Sequence, residues 1–251
     1  MDRDPSLYVD HMLEAIANIE ADIAGSDFEG FRKDRRVRQL VERNLEILSE
    51  ASRRLPQAAK DTEAQIPWRA IAGIGNVIRH DYHDTYPTGL WQTCVKDLRP
   101  LKDALSRIRS MIAALKNNEV VWYAPDQSYR KKGAQRVSLF GIPAPTNTAT
   151  SRIARMTGAA VLPYFVQRLP GSAGYRVVIQ PALENFPSEC SRADAERFHR
   201  LIEAQVRALP DQYLWIHRRF KGMTAADPDY YGCDLAAALA ARQASVVSPA
   251  A

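Results

Sequence analysis

Cysteine and long apolar runs are scarce in this chain of 251 residues. Its three cysteines are scattered and lack the CxxC spacing of a zinc or redox site. This pattern disfavours a disulfide framework, and it predicts a protein of the reducing cytoplasm that binds no metal. The longest apolar stretch, residues 159–166, contains Pro163 and is far shorter than the ~20 residues that cross a bilayer. We therefore expect no transmembrane helix.

The first residues also lack a targeting pattern. The segment MDRDPSLYVDHM has no basic region followed by an apolar run, so we expect no export through a cleaved signal peptide. Hydrophobic residues make up 46% and charged residues 25% of the chain, a balance that is typical of globular proteins and disfavours extensive disorder. The length suits one large domain or two small ones.

Charge is distributed unevenly along the chain. Residues 1–106 hold 15 Lys and Arg against 18 Asp and Glu, a net charge of −3, and residues 107–251 hold 19 against 11, a net charge of +8. This asymmetry predicts two separate modules, the second suited to an anionic ligand or surface. The alternative is that the second module simply has a solvated basic face.

The first ~115 residues show helical periodicity, with apolar residues spaced by three and four. Pro67 suits the first turn of one of the predicted helices. The pattern predicts an antiparallel helical bundle. The apolar positions that define it are Met12, Ile16, Ile19 and Ile23, then Val37, Leu40, Val41, Leu48 and Ala51, then a helix from Pro67, and finally Trp91, Cys94, Leu98, Leu101, Leu105, Ile108, Ile112 and Leu115.

The helix after Pro67 carries a polar stripe, formed at helical spacing by Asn76, Arg79, His80 and His83. Helical spacing places this stripe opposite a row of isoleucines, so it should face away from the core. Two glycines inside the helix, Gly73 and Gly75, should each cost about 1 kcal/mol relative to Ala. Their presence predicts the close approach of a neighbouring helix or of a dimer partner.

Four ordered segments give the first module a specific resemblance. Residues 1–106 resemble the HepT-like branch of the HEPN superfamily. The segments that carry the resemblance are YVDHMLEAIANIEADI, VERNLEILSEASRRLP, IPWRAIAGIGNVIRHDYH and LWQTCVKDLRPLKDAL. Members are helical ribonuclease toxins, usually dimeric and neutralised by a nucleotidyltransferase antitoxin. The resemblance therefore implies RNA as substrate, a homodimer and a cognate antitoxin as partner.

The family signature is Arg, four residues, His, one residue, Tyr. On this chain it places the His at His80 and the Tyr at Tyr82, but the Arg position falls on Gly75. Metal-free RNA cleavage needs a base for the ribose 2'-hydroxyl, which His80 can be, and a cation for the charge that builds up on the phosphate. Arg79, beyond Asn76, is the nearest substitute, although it lies ~100° around the helix from His80. Tyr82 is the implied site of AMP addition by the antitoxin, and the alternative is a degenerate module whose His80 lies in a dimer contact.

After Lys116 the pattern changes to short strands and helices. EVVWYAP, AAVLPYFVQRL and YRVVIQPAL read as strands, the last two joined by the turn PGSAG. A short helix capped by Thr146 or Asn147 and a longer helix over 191–209 lie between and after them. We therefore predict an α+β protein overall, in which the helical bundle is followed by a partial α/β domain.

This second part also resembles a known family. It is similar to the C-terminal part of the lipid A biosynthesis acyltransferases, the lauroyl or myristoyl transferases of Kdo-lipid A precursors. The segments that carry this similarity are RSMIAALKNNEVVWYAPDQSY, LFGIPAPTNTATSRIARMTGAAVLPYFVQRLPGSAGYRV and LIEAQVRALPDQYLWIHRRFK. We assign residues 107–233 to this domain and 234–251 to an Ala-rich tail. The resemblance implies that the helical module takes the place of the membrane anchor and catalytic half-domain that precede YAPDQ in the family.

Those transferases use a His followed after four residues by an acid, the His activating the acceptor hydroxyl against an acyl thioester. None of the five histidines here has Asp or Glu at that spacing. Candidate ligand-binding residues are Asp126 and Gln127, at a predicted strand end, and the basic cluster Arg218, Arg219 and Lys221, suited to phosphate or an anionic lipid headgroup. The alternatives are a turn cap for Asp126 and an exposed basic face for the cluster.

Two functions are therefore compatible with the sequence. We favour a HepT-like, metal-independent RNA endonuclease fused to an acyltransferase fragment, because the first module keeps His80 and Tyr82. The alternative is a lipid A acyltransferase-family protein that transfers an acyl chain or only binds anionic lipid, peripherally at the inner membrane. Neither prediction includes a cofactor.

Overall fold

A computed structural model describes residues 4–80, 86–126, 134–221 and 230–231, with the side chains of 79, 80 and 86 excepted. The chain divides into two compact units, Met1–Val121 and Trp122–Ala251. The sequence-based boundary after residue 106 lies inside a helix that continues to Lys116. We describe each unit by itself.

The first unit is a helical bundle, as predicted. Helix α1 packs against α3 and α7, and α5 packs against α3. Aspartates precede three of the helices, and the carboxylates of Asp4, Asp27 and Asp34 accept hydrogen bonds from backbone N–H groups of the first turns. The helices are α1 (Pro5–Asp22), α2 (Phe28–Lys33), α3 (Arg35–Arg54), α4 (Gln57–Thr62), α5 (Trp68–His80), α6 (Tyr86–Gln92) and α7 (Leu98–Lys116).

The core of this unit follows the apolar periodicity with one exception. Met12, Ile16 and Ile19 of α1 are fully buried, and so is Val41 of α3. Leu40, which the pattern also placed inside, is 50% exposed. It directly precedes Val41, and adjacent positions on a helix point about 100° apart, so only one of the two can face α1 and α5.

The last helix was predicted to run without a break from Trp91 to Leu115, and the backbone is helical across this range but with one irregular turn inside it. A π-helical turn, Thr93–Asp97, separates α6 from α7, and the Leu98 N–H bonds to the carbonyl of Thr93, five residues back. Pro100 explains the irregularity, because its ring has no N–H to donate and crowds the carbonyl four residues before it. The apolar seam nevertheless continues across the turn, with Cys94, Leu101 and Leu105 buried.

The described part of the second unit combines two antiparallel hairpins with two α-helices. Strands β1 (Gln135–Leu139) and β2 (Ile142–Thr146) pair with each other, and so do β3 (Tyr164–Arg168) and β4 (Tyr175–Ile179). Helix α8 (Ala149–Thr157) follows β2, and α9 (Ser191–Ala208) packs against β1 and α8. The small core lies there, with Val137, Leu139, Phe198 and Val206 buried. None of the helices within the described ranges has the length and apolar character to cross a bilayer.

One strand prediction in this unit is wrong, and one hairpin was missed. The segment EVVWYAP has no strand among residues 119–125, and Val120 is 97% exposed. The β1–β2 hairpin was not predicted, because Pro143 and Pro145 interrupt the second strand. Proline is tolerated in β2 because, among the residues that the structure describes, this strand pairs with β1 alone, so the missing N–H groups leave no second ladder incomplete.

Candidate functional site

Helix α5, which carries the predicted ribonuclease motif, lies close to α3 at Gly75. The Ser49 hydroxyl donates to the carbonyl of Ala72 at 2.9 Å, and the Gly75 N–H donates to the Ser49 Oγ at 3.4 Å. A Cβ on Gly75 would lie 3.2 Å from that oxygen, tighter than ordinary contact. The predicted close approach of a helix is therefore found at Gly75, whereas a Cβ on Gly73 would meet nothing within 4 Å.

An arginine that sequence reasoning missed lies across this part of α5. The Arg53 Nε donates to the carbonyl of Ala72 at 2.9 Å, and its Nη2 donates to the Asn76 Oδ1 at 3.5 Å. Its Nη1 lies 3.6 Å from the Glu50 Oε2, and 39% of the side chain is exposed. Only the pairing of α3 with α5 brings it there, so no local sequence pattern could have found it.

A groove of about 400 Å³ opens beside Gly75. Its walls come from α1 and α3, and they carry His11, Tyr8 and three arginines. Two glutamates partly balance the arginines, because Arg43 lies 3.3 Å from Glu46 and Arg54 lies 2.8 Å from Glu50. The charged and polar lining residues are Tyr8, His11, Arg43, Glu46, Ser49, Glu50, Arg53 and Arg54.

The predicted catalytic residues lie at the end of α5. Asn76 is exposed, and His80 is the last residue of the helix, so one helical turn separates them. The side chains of Arg79 and His80 lie outside the described part of the structure, and so does all of Tyr82. Within the described ranges no group of three His, Cys, Asp or Glu residues is placed to hold a metal ion.

In the second unit, Arg219 is not part of an exposed basic cluster, which corrects the prediction. Its side chain is buried, with the residue 2% exposed. Its Nη1 donates to the Pro145 carbonyl at 2.6 Å, and its Nη2 donates to the Thr146 Oγ1 at 2.8 Å. A buried guanidinium must have such acceptors, because an unpaired charge inside a protein is costly. Arg219 therefore stabilises the β2 end rather than facing a ligand in solvent.

His199 of α9 completes this buried network. The Arg219 Nη2 lies 3.2 Å from the His199 Nε2, which must then accept, so the Nδ1 carries the proton and donates to the Ser138 carbonyl at 2.7 Å. Burial is the main cause that lowers the pKa of His199, and the charge of Arg219 lowers it further. His199 is thus held neutral inside the unit, as a structural histidine.

Of the other predicted binding residues of this unit, Asp126 lies near enough to Arg219 for their opposite charges to interact. Arg218 and Lys221 are exposed, and the guanidinium of Arg218 lies 5.7 Å from the centre of the Tyr231 ring. Asp126 lies half-buried in a turn and does not follow a strand. Gln127 is outside the described residues.

Comparison with known families gives one match for each part of the chain. The family model for bacterial lipid A biosynthesis acyltransferases matches residues 90–222, just over half of the chain. The model for ribonuclease HepT-like proteins matches residues 12–108. A probable ribonuclease HepT of Thermococcus cleftensis is 33% identical over 109 residues, which are 43% of this chain and 99% of that protein. The chain belongs to both families.

The acyltransferase relatives are matched over less of their length. The lipid A biosynthesis lauroyltransferase of Escherichia coli is 37% identical over 137 residues, 53% of this chain and 45% of the relative. The palmitoleoyltransferase of the same organism is 36% identical over 127 residues, 50% of this chain and 41% of the relative. The chain thus spans less than half the length of these transferases. Both family models include residues 90–108, where the π-helical turn and the start of α7 lie.

Proposed function

We propose that this chain is a HepT-type RNA endonuclease whose chemistry lies in the first unit. The observation that carries the proposal is coverage: the chain spans 99% of the HepT relative but 45% of the lauroyltransferase. The first unit also keeps His80, at the end of a helix that carries Asn76 one turn earlier. The second unit, in contrast, offers no histidine with an acid at the spacing that acyl transfer needs.

In the proposed reaction His80 removes the proton of a ribose 2'-hydroxyl. The 2'-oxygen then bonds to the adjacent phosphorus, the bond from phosphorus to the 5'-oxygen breaks, and the departing 5'-oxygen takes up a proton. The products are a 2',3'-cyclic phosphate and a 5'-hydroxyl, and the reaction proceeds without a metal. General-base catalysis of this kind contributes typically 10²- to 10⁴-fold in rate.

The end chemistry of the products tests this proposal. We expect the purified chain to cut labelled single-stranded RNA in the presence of EDTA and to leave 2',3'-cyclic phosphate ends. DNA of the same sequence is the matched control, because it lacks the attacking hydroxyl and should stay intact. Cleavage that requires Mg²⁺, or that also cuts the DNA, would contradict the mechanism.

We further propose that the unit works as a homodimer controlled by a nucleotidyltransferase antitoxin. The support is the motif, which places a tyrosine, Tyr82, two residues after His80. AMP added to Tyr82 would put negative charge beside the RNA site and repel phosphate.

Two measurements test the assembly and the modification. For a homodimer, light scattering should give about twice the 28.2 kDa chain mass. Intact-mass measurement after co-expression with the antitoxin should show one added AMP, which Tyr82→Phe removes.

A second candidate function concerns the second unit, which we propose to bind anionic lipid peripherally. A short surface segment combines Leu214, Trp215 and Ile216, which are 67%, 50% and 83% exposed, with the exposed cations Arg218 and Lys221. Exposed apolar side chains next to basic ones favour a negatively charged membrane surface.

Vesicle flotation tests this second function. We expect salt-sensitive binding to vesicles with anionic lipid and none to zwitterionic vesicles. The double variant Arg218→Ala, Lys221→Ala should lose the binding, whereas Arg176→Ala, an exposed cation on β4, should keep it. We expect no acyl transfer to a lipid A precursor, and clear transfer would reverse the ranking of the two functions.

A further inference from the structure

We infer that the groove between α1, α3 and α5 binds a phosphate of the RNA strand and that Arg53 supplies the cation that position 75 lacks. The identity of the strand rests on the proposed ribonuclease function, whereas the phosphate site itself rests on the geometry of the first unit.

The position of Arg53 is fixed by two contacts on either side of Gly75. Its Nε bonds to the carbonyl of Ala72 and its Nη2 lies 3.5 Å from the Asn76 Oδ1, so the guanidinium spans one turn of α5. Gly75 lies between these two anchor points and lines the groove. A side chain there would press on Ser49. The guanidinium of Arg53 on α3 therefore lies next to the position where Gly75 has no side chain.

The electrostatics leave Arg53 able to take an anion. Glu50 lies 2.8 Å from Arg54 but 3.6 Å from the Nη1 of Arg53, a distance longer than a hydrogen bond. The planar guanidinium carries five N–H donors, and two phosphate oxygens match its geometry better than they match an ammonium. Arg43, with 71% of its side chain exposed, lies on the same groove, but Glu46 at 3.3 Å balances its charge, so Arg53 carries the proposed phosphate contact.

Fluorescence anisotropy with a short single-stranded RNA tests the site in the full chain. We expect Arg53→Ala to weaken binding about 10- to 100-fold, the usual effect of losing a charged hydrogen-bonding group. Arg53→Lys, which keeps the charge but not the fork, should fall between. The matched control is Arg99→Ala, an exposed arginine of α7 outside the groove, and it should bind like the wild type. Circular dichroism checks that each variant is folded.

Salt dependence separates a direct phosphate contact from a structural effect. Loss of one contact should reduce the slope of log affinity against log salt by ~0.7, the value for single strands. Glu50→Gln, which removes the competing carboxylate, should tighten binding. An Arg53→Ala variant whose slope and affinity match the wild type would overturn the inference.

A rescue variant and a parallel cleavage assay keep this inference distinct from the proposed function. Gly75→Arg together with Ser49→Gly, introduced into Arg53→Ala, places a guanidinium near the same point with room made for its Cβ. Restored binding supports the phosphate site, and no restoration counts against it. RNA binding through Arg53 without any cleavage by the wild type would support the phosphate site and contradict the ribonuclease proposal. Cleavage by Arg53→Ala at the wild-type rate would support the ribonuclease proposal and contradict the phosphate site.

Discussion

The two units differ in how completely they bury their apolar surfaces. In the first unit the inward faces of α1, α3 and α7 are covered, and residues such as Ile19 and Leu105 have no exposed surface. In the second unit one face of the β3–β4 hairpin is open. Its cross-strand pairs Tyr164 with Ile179 and Val166 with Val177 are all between 43% and 66% exposed.

This difference parallels the extent of family coverage. The first unit corresponds to 99% of a HepT relative, and the chain corresponds to 45% of a lauroyltransferase. A paired row of aromatic and β-branched residues usually packs against another layer, because exposed apolar patches of this kind are rare on monomers. The comparison teaches that a match to a family does not by itself show that the matched part buries its apolar surface.

The largest stability effect is expected in the core of the first unit. Phe31 is fully buried, and its ring lies 5.3 Å from the ring of Trp91. Phe31→Ala should lower the free energy of unfolding by about 3–5 kcal/mol, because it leaves a cavity that the helices cannot fill. Urea unfolding measures this loss. Leu40→Ala, at a half-exposed position of the same unit, is the control and should cost less than about 1 kcal/mol.

A smaller effect is expected from the buried arginine of the second unit. Arg219→Met removes the hydrogen bonds to the Pro145 carbonyl and Thr146 and should lower stability by about 2–3 kcal/mol. Hydrogen exchange of residues 135–146 reports the loss locally. Arg218→Met, the exposed neighbour, should change exchange hardly at all. Equal effects of the two variants would mean that the buried network does not stabilise the hairpin.

The units should also respond to acid in different pH ranges. Burial lowers the pKa of His199, so the unfolded state takes up the proton first, and the stability of the second unit should fall as the pH drops below its usual pKa of 6.5. His199→Gln should remove this decline.

In the first unit the hydrogen bond from Lys116 is the main cause that lowers the pKa of Asp4 to about 2. Its contribution is lost only as the pH falls from about 3.8 towards 2. Urea unfolding in steps of about one pH unit, from about pH 7.5 down to about pH 2, covers both ranges and compares the two units.

The smallest effect is expected on the open hairpin face. Val177 is 58% exposed, so Val177→Ser should change the free energy of unfolding by less than about 0.5 kcal/mol. Val137→Ser, on the buried face of the other hairpin, is the matched control and should cost several times more. A large cost at Val177 would show that its face is covered in solution and would weaken the contrast between the units.

The sequence predicted the first unit well because helical periodicity is local. It located α1, α3, α5 and α7 and their inward residues, and it missed α2 and α4, which have only six residues each. In the second unit it predicted β3, β4, α8 and α9, but neither β1 nor its proline-containing partner β2. It also mistook the apolar segment EVVWYAP for a strand, because a strand is defined by its partner as much as by its own residues.

The candidate site was predictable only where a motif marked it. His80 and Tyr82 come from such a motif, and Asn76 from helical spacing. Arg53 is far from them in sequence and reaches α5 only through the packing of α3. For Arg219 the sequence suggested an exposed side chain, since Arg218 and Lys221 on either side are exposed, but the Arg219 side chain is buried. The direction of a side chain in an irregular segment depends on backbone angles that the sequence does not reveal, such as the left-handed φ of Arg218.

The rate of RNA cleavage by His80→Ala, compared with the wild type in EDTA, tests the central claim most directly. The matched control is His217→Ala, which removes an exposed histidine of the second unit. We expect wild type and His217→Ala to cut single-stranded RNA at the same rate, and His80→Ala to be slower by about 10²- to 10⁴-fold. Cleavage by His80→Ala at the wild-type rate would show that the first unit does not use this residue as its base and would contradict the account.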